Sequence, residues 1–194
     1  MPSAQAERRA GTQAALLDAT VQSLVEHGYA RTTTGRIAEL AGVSRGAQLR
    51  YFPSRADLLT AAVRHLAQRR AASFTDRLGR GPASAEECID ALWDGHQAPL
   101  FDAALELWVA ARTDAELRRH LVTVERDVAA TIFSAAEAAL GELAHRDGFT
   151  DDLLHILAAM RGLALLQVSH GANSRLLAAQ WPHLRAQLVT LLSG

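Results

Sequence analysis

Apolar side chains near the start of the chain recur at spacings of three and four residues. They are Leu16, Leu17, Leu24 and Val25, with Thr20 on the same side. This spacing is the period of one face of an α-helix. Gly28 follows the last of them, and glycine is the residue that most often ends a helix. The pattern predicts an amphipathic first helix that ends near residue 28.

Capping residues divide the next stretch into short helices. The hydroxyls of residues 32–34 precede a second helix, and Ser44 precedes a third. Threonine and serine side chains accept hydrogen bonds from the first free amides of a helix. Pro53 cannot continue the third helix. Ser54 then opens a fourth helix with a capping-box pattern.

The remaining chain reads as longer helices. Ser84 and Thr113 each precede a glutamate by three residues, which is the capping-box spacing. Strand-like alternation is missing, so the sequence predicts an all-α fold of about nine helices. Glycines and a proline at 79–82 mark a break. We therefore expect a three-helix N-terminal domain at 9–69 and a helical C-terminal domain at 70–194.

Charge is distributed unevenly along a chain that is almost neutral overall. The 194 residues carry a formal net charge of −1. The segment from Arg31 to Arg55, however, contains five arginines and only one acidic residue, Glu39. A local cationic patch indicates a polyanionic partner for that end of the molecule. The single cysteine, Cys88, excludes an internal disulfide. Neither a signal peptide nor a membrane span is apparent, so we expect a cytoplasmic protein without a membrane partner.

Residues 33–52 have the layout of two helices joined by a tight turn. Ala38 supplies the small residue needed where the helices cross, and Gly42 tolerates the positive φ of the turn. The second helix is expected to show Arg45, Gln48 and Arg50 on its outward face. Arginine can pair with guanine and glutamine with adenine in the major groove of DNA. This layout predicts a helix-turn-helix motif at about 32–51.

The stretch TTTGRIAELAGVSRGAQLRYFPSRADLL resembles the DNA-binding domain of the TetR family. The similarity covers roughly residues 9–69. One departure is that the family commonly has Leu-Tyr where this chain has Gln48-Leu49. The resemblance implies an all-helical homodimer, a C-terminal effector pocket and, usually, repression. Together with the motif, it assigns DNA contacts to Thr33, Thr34, Arg36, Ser44, Arg45, Gly46, Ala47, Gln48, Arg50, Tyr51 and Arg55.

The C-terminal half supplies two further predicted sites. Helices that line the ligand cavity in the resembled family contribute a set of aromatic and polar residues here. These are Trp93, His96, Phe101, Trp108, Arg112, Phe133, Met160 and Gln167. The last two helices have apolar residues on more than one side, which favours burial against a second copy of the chain. The predicted dimer interface consists of Leu153, Ile156, Leu157, Leu163, Leu176, Trp181, Leu184 and Leu188.

Two other functions, a serine hydrolase and a helical adaptor that binds protein, fit the sequence less well. Residues 42–46 match the Gly-x-Ser-x-Gly pattern of serine hydrolases, but that motif requires a strand before the serine. A helical adaptor that binds protein would leave the arginine face unexplained. The histidines show no metal-ligand spacing. The prediction is therefore a non-enzymatic transcriptional regulator without metal or cofactor. It would bind a palindromic double-stranded operator as a homodimer and be released by a small-molecule effector.

Overall fold

The computed structural model describes residues 3–78, 82–96, 100–170 and 175–194. Within these ranges the chain forms nine α-helices, one short 3-10 helix and no strand, which confirms the predicted all-α fold. The helices are α1 (Ala4–Arg31), α2 (Thr34–Leu40), α3 (Arg45–Tyr51), α4 (Arg55–Leu78), α5 (Ala85–Gly95), α6 (Leu100–Ala111), α7 (Ala115–Leu140), α8 (Phe149–His170) and α9 (Arg175–Ser193), with the 3-10 helix at Gly141–His145.

Side-chain caps fix where several helices begin. Ser54 and Asp57 form the predicted box before α4, since the Asp57 amide donates to Ser54 Oγ and the Ser54 amide to the Asp57 carboxylate. Ser84 caps α5 in the same reciprocal way. At α7 the cap lies one residue later than the predicted Thr113, because the Leu117 amide donates to Oδ1 of Asp114 at 2.9 Å. Local capping chemistry therefore sets these boundaries.

Gly28 bends α1 instead of ending it. The helix continues to Arg31, and Gly28 sits inside it with φ of 72°. That φ lies in the left-handed region, where a residue with a Cβ is strained. A Cβ at this position would also lie 3.0 Å from a carboxylate oxygen of Glu106 in α6. The same oxygen accepts from the Tyr29 amide at 2.6 Å, so the bend brings α1 backbone to an α6 side chain.

The first compact unit contains α1–α3, α4 up to Gln68, α6, and α7 up to Val128. Its core is built on α1, with Leu16 and Leu24 fully buried. Leu58 and Leu59 of α4 and Leu107 of α6 join the same core. Apolar spacing in three different helices thus produces one continuous interior.

The second compact unit contains α4 from Arg69, α5, α7 from Ala129, the 3-10 helix, α8 and α9. Its core joins α5, α8 and α9 around the fully buried Ile89, Met160 and Leu192. Arg185 of α9 donates twice to the Asp90 carboxylate of α5, at 2.6 and 2.7 Å. Such paired bonds fix the two helices in orientation as well as distance. The boundary between the two units falls inside α4, between Gln68 and Arg69, and α6 and the first part of α7 belong to the unit of the N-terminal helices. The functional division at 69/70 remains a prediction.

Most of the predicted dimer residues are buried within their own chain. Leu153, Ile156, Leu157, Leu163 and Leu188 are at most 8% exposed. Leu153, Ile156, Leu157 and Leu188 belong to the core of the second unit, so these side chains are already covered within their own chain. A role for them between subunits remains a prediction that this burial does not favour. Trp181 and Leu184 pack against the same core, and the side chain of Leu176 lies outside the described residues. Among the described helices, none has the length and apolar character required to cross a membrane.

Candidate nucleic-acid interface

Helices α2 and α3 are joined by a turn whose backbone is hydrogen-bonded throughout. Thr33 caps α2 by accepting from the Arg36 amide at 3.3 Å. At the other end the Gly42 amide donates to the Glu39 carbonyl and the Val43 amide to the Ala38 carbonyl, at 3.1 and 2.9 Å. Gly42 has φ of 66°, as the sequence predicted. The turn is therefore fixed by main-chain bonds that need glycine at one position.

The inner faces of the two helices hold them together. Ile37 is fully buried and Ala38 nearly so. Phe52, the residue that ends α3, is 6% exposed, and Val43 packs against the same core. Burial of a large apolar side chain such as Ile37 or Phe52 contributes about 1.5–3 kcal/mol. These apolar contacts hold α2 and α3 together.

Ser44 is the N-cap of α3. Its side-chain oxygen accepts from the Ala47 amide at 3.2 Å, and its backbone is extended, with φ of −71° and ψ of 152°. Helix α2 and a turn, not a strand, precede it. The local structure that a serine hydrolase requires around its nucleophile is therefore absent here.

The outward surface of α3 is formed by two arginines, a glycine and a leucine. Arg45, Gly46, Leu49 and Arg50 are all exposed, and Leu49 retains 47% of its accessible area. Residues three and four apart are neighbours on a helix surface, and the pairs 45/49, 46/49 and 46/50 have this spacing. Arginine can donate two hydrogen bonds to a guanine edge, and an apolar side chain can contact the methyl group of thymine. This face has the chemistry that major-groove readout uses.

Gln48 corrects the sequence prediction, which placed it on this face. Its side chain is fully buried, and Nε2 donates to the Phe52 carbonyl at 3.1 Å. Its Oε1 atom has no hydrogen-bond partner. The resemblance already carried the signal, because Gln48 stands where the family commonly has leucine. The glutamine occupies an inward position, which leaves Leu49 as the exposed residue that the prediction missed.

Arg55 also differs from its predicted role as a phosphate contact. Its Nε donates to the Thr32 carbonyl at 2.8 Å, and Nη2 donates to the Tyr29 carbonyl. The guanidinium carbon lies 4.0 Å from the centre of the Tyr29 ring. Arg55 therefore connects the start of α4 to the junction of α1 and α2. This geometry favours positioning of the motif over contact with DNA.

Tyr29 extends the same connection to α6 and α7. Its hydroxyl donates to Oδ2 of Asp114 at 2.8 Å, and its amide contacts Glu106. Burial, followed by the bond to Asp114, raises the pKa of Tyr29. Hydrogen bonds from the Leu117 amide and from Tyr29 lower the pKa of Asp114. Both shifts hold the hydroxyl as donor and the carboxylate as acceptor at neutral pH.

The other predicted DNA residues lie around α3. Thr33 is exposed, while Thr34, Arg36 and Ala47 are partly exposed. The Tyr51 ring is partly exposed and lies beneath two arginines, Arg9 at 5.9 Å and Arg50 at 6.0 Å. Arg9, on α1, is an additional positive charge that the sequence prediction did not include. These residues remain predicted contacts.

The predicted effector residues fall into two groups, one in each unit. In the first, Phe101 meets Trp108 edge to face at 6.0 Å, and Nε1 of Trp108 donates to Glu125. Arg112 is exposed nearby in sequence.

The second unit holds the other effector candidates. Trp93 stacks on Trp181 at 4.2 Å and lies 6.3 Å from the His96 ring. Burial lowers the pKa of His96, whose Nδ1 lies 2.9 Å from the Leu92 carbonyl. Met160 is fully buried in this core, and Phe133 packs against it. The side chain of Gln167 lies outside the described residues.

A capped, exposed α3 set on α2 by a glycine turn defines a helix-turn-helix protein of the DNA-binding type. Comparison with known proteins agrees. The family described as bacterial regulatory proteins, tetR family, matches residues 16–62. A Mycobacterium tuberculosis protein, an uncharacterized HTH-type transcriptional regulator, is 30% identical over 197 residues, covering 100% of this chain and 97% of that protein.

Solved structures show the same fold over nearly the whole chain. A TetR-family transcriptional regulator from Rhodococcus superposes with a TM-score of 0.75 at 22% identity, covering 95% of this chain and 100% of the other. The multidrug binding protein EbrR, complexed with imidazole, gives a TM-score of 0.63 at 19% identity, covering 92% and 93%. The chain belongs to the TetR family of DNA-binding transcriptional regulators.

Proposed function

We propose that this protein is a ligand-responsive repressor, which binds a palindromic operator as a homodimer and leaves it when a small molecule binds. The observation that carries the proposal is the outward face of α3, where Arg45, Leu49 and Arg50 are exposed next to a fixed turn. A helix of this kind reads base edges in the major groove. Two copies related by a two-fold axis would read half-sites one helical turn apart or a multiple of it.

The operator is tested by selection from random DNA. Purified protein is incubated with a pool of random duplexes, and the bound fraction is amplified and sequenced. The proposal predicts an inverted repeat whose half-sites are separated by a whole number of helical turns. Enrichment of a single asymmetric site, or of no sequence, would contradict a two-fold dimer on a palindrome.

The exposed side of α8 is the better candidate for the dimer interface. Leu154, Leu165 and Val168 retain 49%, 49% and 59% of their accessible areas. Ala158 and Arg161 are exposed at the intervening helical spacings. The five positions advance by alternate steps of four and three residues, which is the spacing of a helix–helix seam. This stripe is apolar at four of its five positions, Arg161 being the exception, and such surface favours cover by the same stripe of a second copy.

The dimer is tested by charge placed in that stripe. Leu165→Arg should convert the dimer to a monomer in light scattering coupled to size exclusion, because two arginines would meet near the symmetry axis. Val122→Arg, on the exposed side of α7 at 54% accessibility, is the matched control and should leave the mass unchanged. A dimer that survives Leu165→Arg would refute the α8 interface.

The effector is proposed to bind among the aromatic residues of the C-terminal half. The support is the Trp93–Trp181 stack beside His96, which joins apolar surface to a polar nitrogen. A relative in fold, EbrR, was crystallised with imidazole. A library of small organic molecules should contain compounds that quench tryptophan fluorescence and release the selected operator. If the compounds still quench the fluorescence of Trp93→Phe, and if operator release is unchanged in that variant, the effector site lies elsewhere.

A further inference from the structure

A cavity lies within the first unit, and Trp93, His96 and Trp181 are not among its lining residues. Its volume is about 610 Å³, which is within the usual range for small-molecule sites. The end of α3, the first turns of α4 and the N-terminal half of α7 form its walls. The lining residues on which the argument depends are Phe52, Asp57, Thr60, Arg64, Arg119 and His120.

The acid in this cavity, Asp57, has a neighbour at each of its two oxygens. One oxygen of Asp57 accepts hydrogen bonds from Ser54 Oγ at 2.8 Å and from the Ser54 amide at 3.2 Å. The other oxygen lies 3.2 Å from Nδ1 of His120. Asp57 is therefore engaged by the cap of α4 through one oxygen and by α7 through the other.

The two arginines of the cavity retain unused hydrogen-bond capacity. Arg64 pairs with Asp127 through Nη2 at 3.0 Å, but its Nε is buried without an acceptor. Arg119 is exposed and forms no hydrogen bond or ion pair in the part of the chain that is described. A carboxylate between Arg64 and Arg119 would accept charge-assisted bonds from the accessible nitrogens of the two guanidinium groups.

Part of the remaining wall is apolar. Phe52 and Val124 are buried side chains that line the cavity from the α3 and α7 sides, and Ala61 of α4 is also part of the lining. A ligand that pairs with the arginines at one end can therefore place a short hydrocarbon body against this surface. The combination selects amphipathic anions over free inorganic ions.

We propose that this cavity binds a small carboxylate with a short apolar body, as a site separate from the Trp93 region. Because Phe52 ends α3, such a ligand would connect the DNA-reading helix to α7, and a regulatory effect of this contact rests on the function proposed above. The competing occupant is a phosphate of DNA, which would use the same arginines.

Binding is tested with 5,5,5-trifluoropentanoate, followed by its fluorine NMR signal as the full-length protein is added. The uncharged 5,5,5-trifluoropentanamide is the matched control ligand. Arg119→Gln and Arg64→Gln remove the proposed donors, and Arg118→Gln is the matched control on an exposed neighbouring position. Methyl signals of Val124 in this cavity and Ile89 in the second unit report where the probe binds.

We expect the carboxylate to bind more tightly than the amide, and Arg119→Gln and Arg64→Gln to weaken it about tenfold. Arg118→Gln should have no effect, and Val124 should shift while Ile89 does not. Equal binding of acid and amide, or a shift at Ile89 alone, would overturn the proposal. The proposal would also be overturned if Arg119→Gln left carboxylate binding intact and weakened DNA binding, because Arg119 would then belong to the DNA surface. None of the binding measurements requires an active operator.

Discussion

Replacement of Arg55 by alanine separates a positioning role from a phosphate contact. In the structure this side chain donates to two carbonyls, those of Thr32 and Tyr29, and covers the Tyr29 ring. Arg55→Ala removes these contacts at once. The substitution also leaves the exposed face of α3 unchanged, so it tests how the motif is held and not what the motif touches.

The expected loss of stability follows from the contacts. Hydrogen bonds from a charged donor contribute about 1.5–3 kcal/mol each, and a partly exposed cation–π contact about 0.5–1 kcal/mol. Arg55 is only half-buried, so water compensates part of the loss. The Tyr29 carbonyl also keeps a bond from the Thr32 amide at 3.2 Å. We expect Arg55→Ala to lower the free energy of unfolding by about 2–4 kcal/mol.

The assay is urea unfolding followed by far-UV circular dichroism. Arg45→Ala, at an exposed arginine on α3, is the control and should change the free energy of unfolding by less than about 0.5 kcal/mol. On DNA, Arg55→Ala should keep the wild-type slope of log Kd against log salt, because no phosphate contact is lost. A stability change below about 0.5 kcal/mol, together with a salt slope reduced by about one, would refute the positioning role.

Three further predictions follow from buried polar groups. Gln48→Leu should leave base preference unchanged and alter the free energy of unfolding by no more than about 1 kcal/mol, since the bond from Nε2 to the Phe52 carbonyl is lost but the buried Oε1 without a partner is removed with it; altered preference in the random-pool selection would place Gln48 at the DNA. Burial raises the pKa of Cys88 to about 12, so its thiol should react with a disulfide reagent at pH 8 only after unfolding in urea; rapid reaction of the folded protein would contradict its burial. Burial lowers the pKa of His96 below its ordinary value of 6.5, so the unfolded chain binds the additional proton and the free energy of unfolding should fall as the pH drops through 6.5. His96→Gln should flatten that dependence, and an unchanged pH profile would show that another group causes it.

The sequence predicted the parts of the fold that depend on local chemistry. Ser44, Ser54 and Ser84 act as caps at the predicted places, because the acceptor and the amides it serves lie within one helical turn. The glycine turn at Gly42 is equally local. Gly28 shows the limit: its φ is left-handed as at a helix end, but α1 continues after it, next to Glu106. That neighbour is 78 residues away in the chain, and periodicity gives no information about it.

Side-chain direction was the part of the site that the sequence did not determine. Gln48 is polar, and polarity favours an outward position, yet Phe52 provides it with a carbonyl acceptor inside. The apolar residues of α8 suggested an interface between subunits, whereas Leu153 and Ile156 face α5 and α9 of the same chain. In both cases the outcome depends on which neighbour covers the residue. That choice is made by tertiary packing, after the helices have formed.

The central claim is that the exposed face of α3 reads DNA. The direct measurement is the ratio of affinities for the selected operator and a scrambled duplex, at one salt concentration, for wild type, Arg45→Ala and Arg126→Ala. Arg126 is an exposed arginine on α7 and serves as the control. Arg45→Ala should reduce the difference in binding free energy that this ratio expresses by about 1–3 kcal/mol, while Arg126→Ala should leave the ratio unchanged. Equal ratios for wild type and Arg45→Ala would contradict the claim.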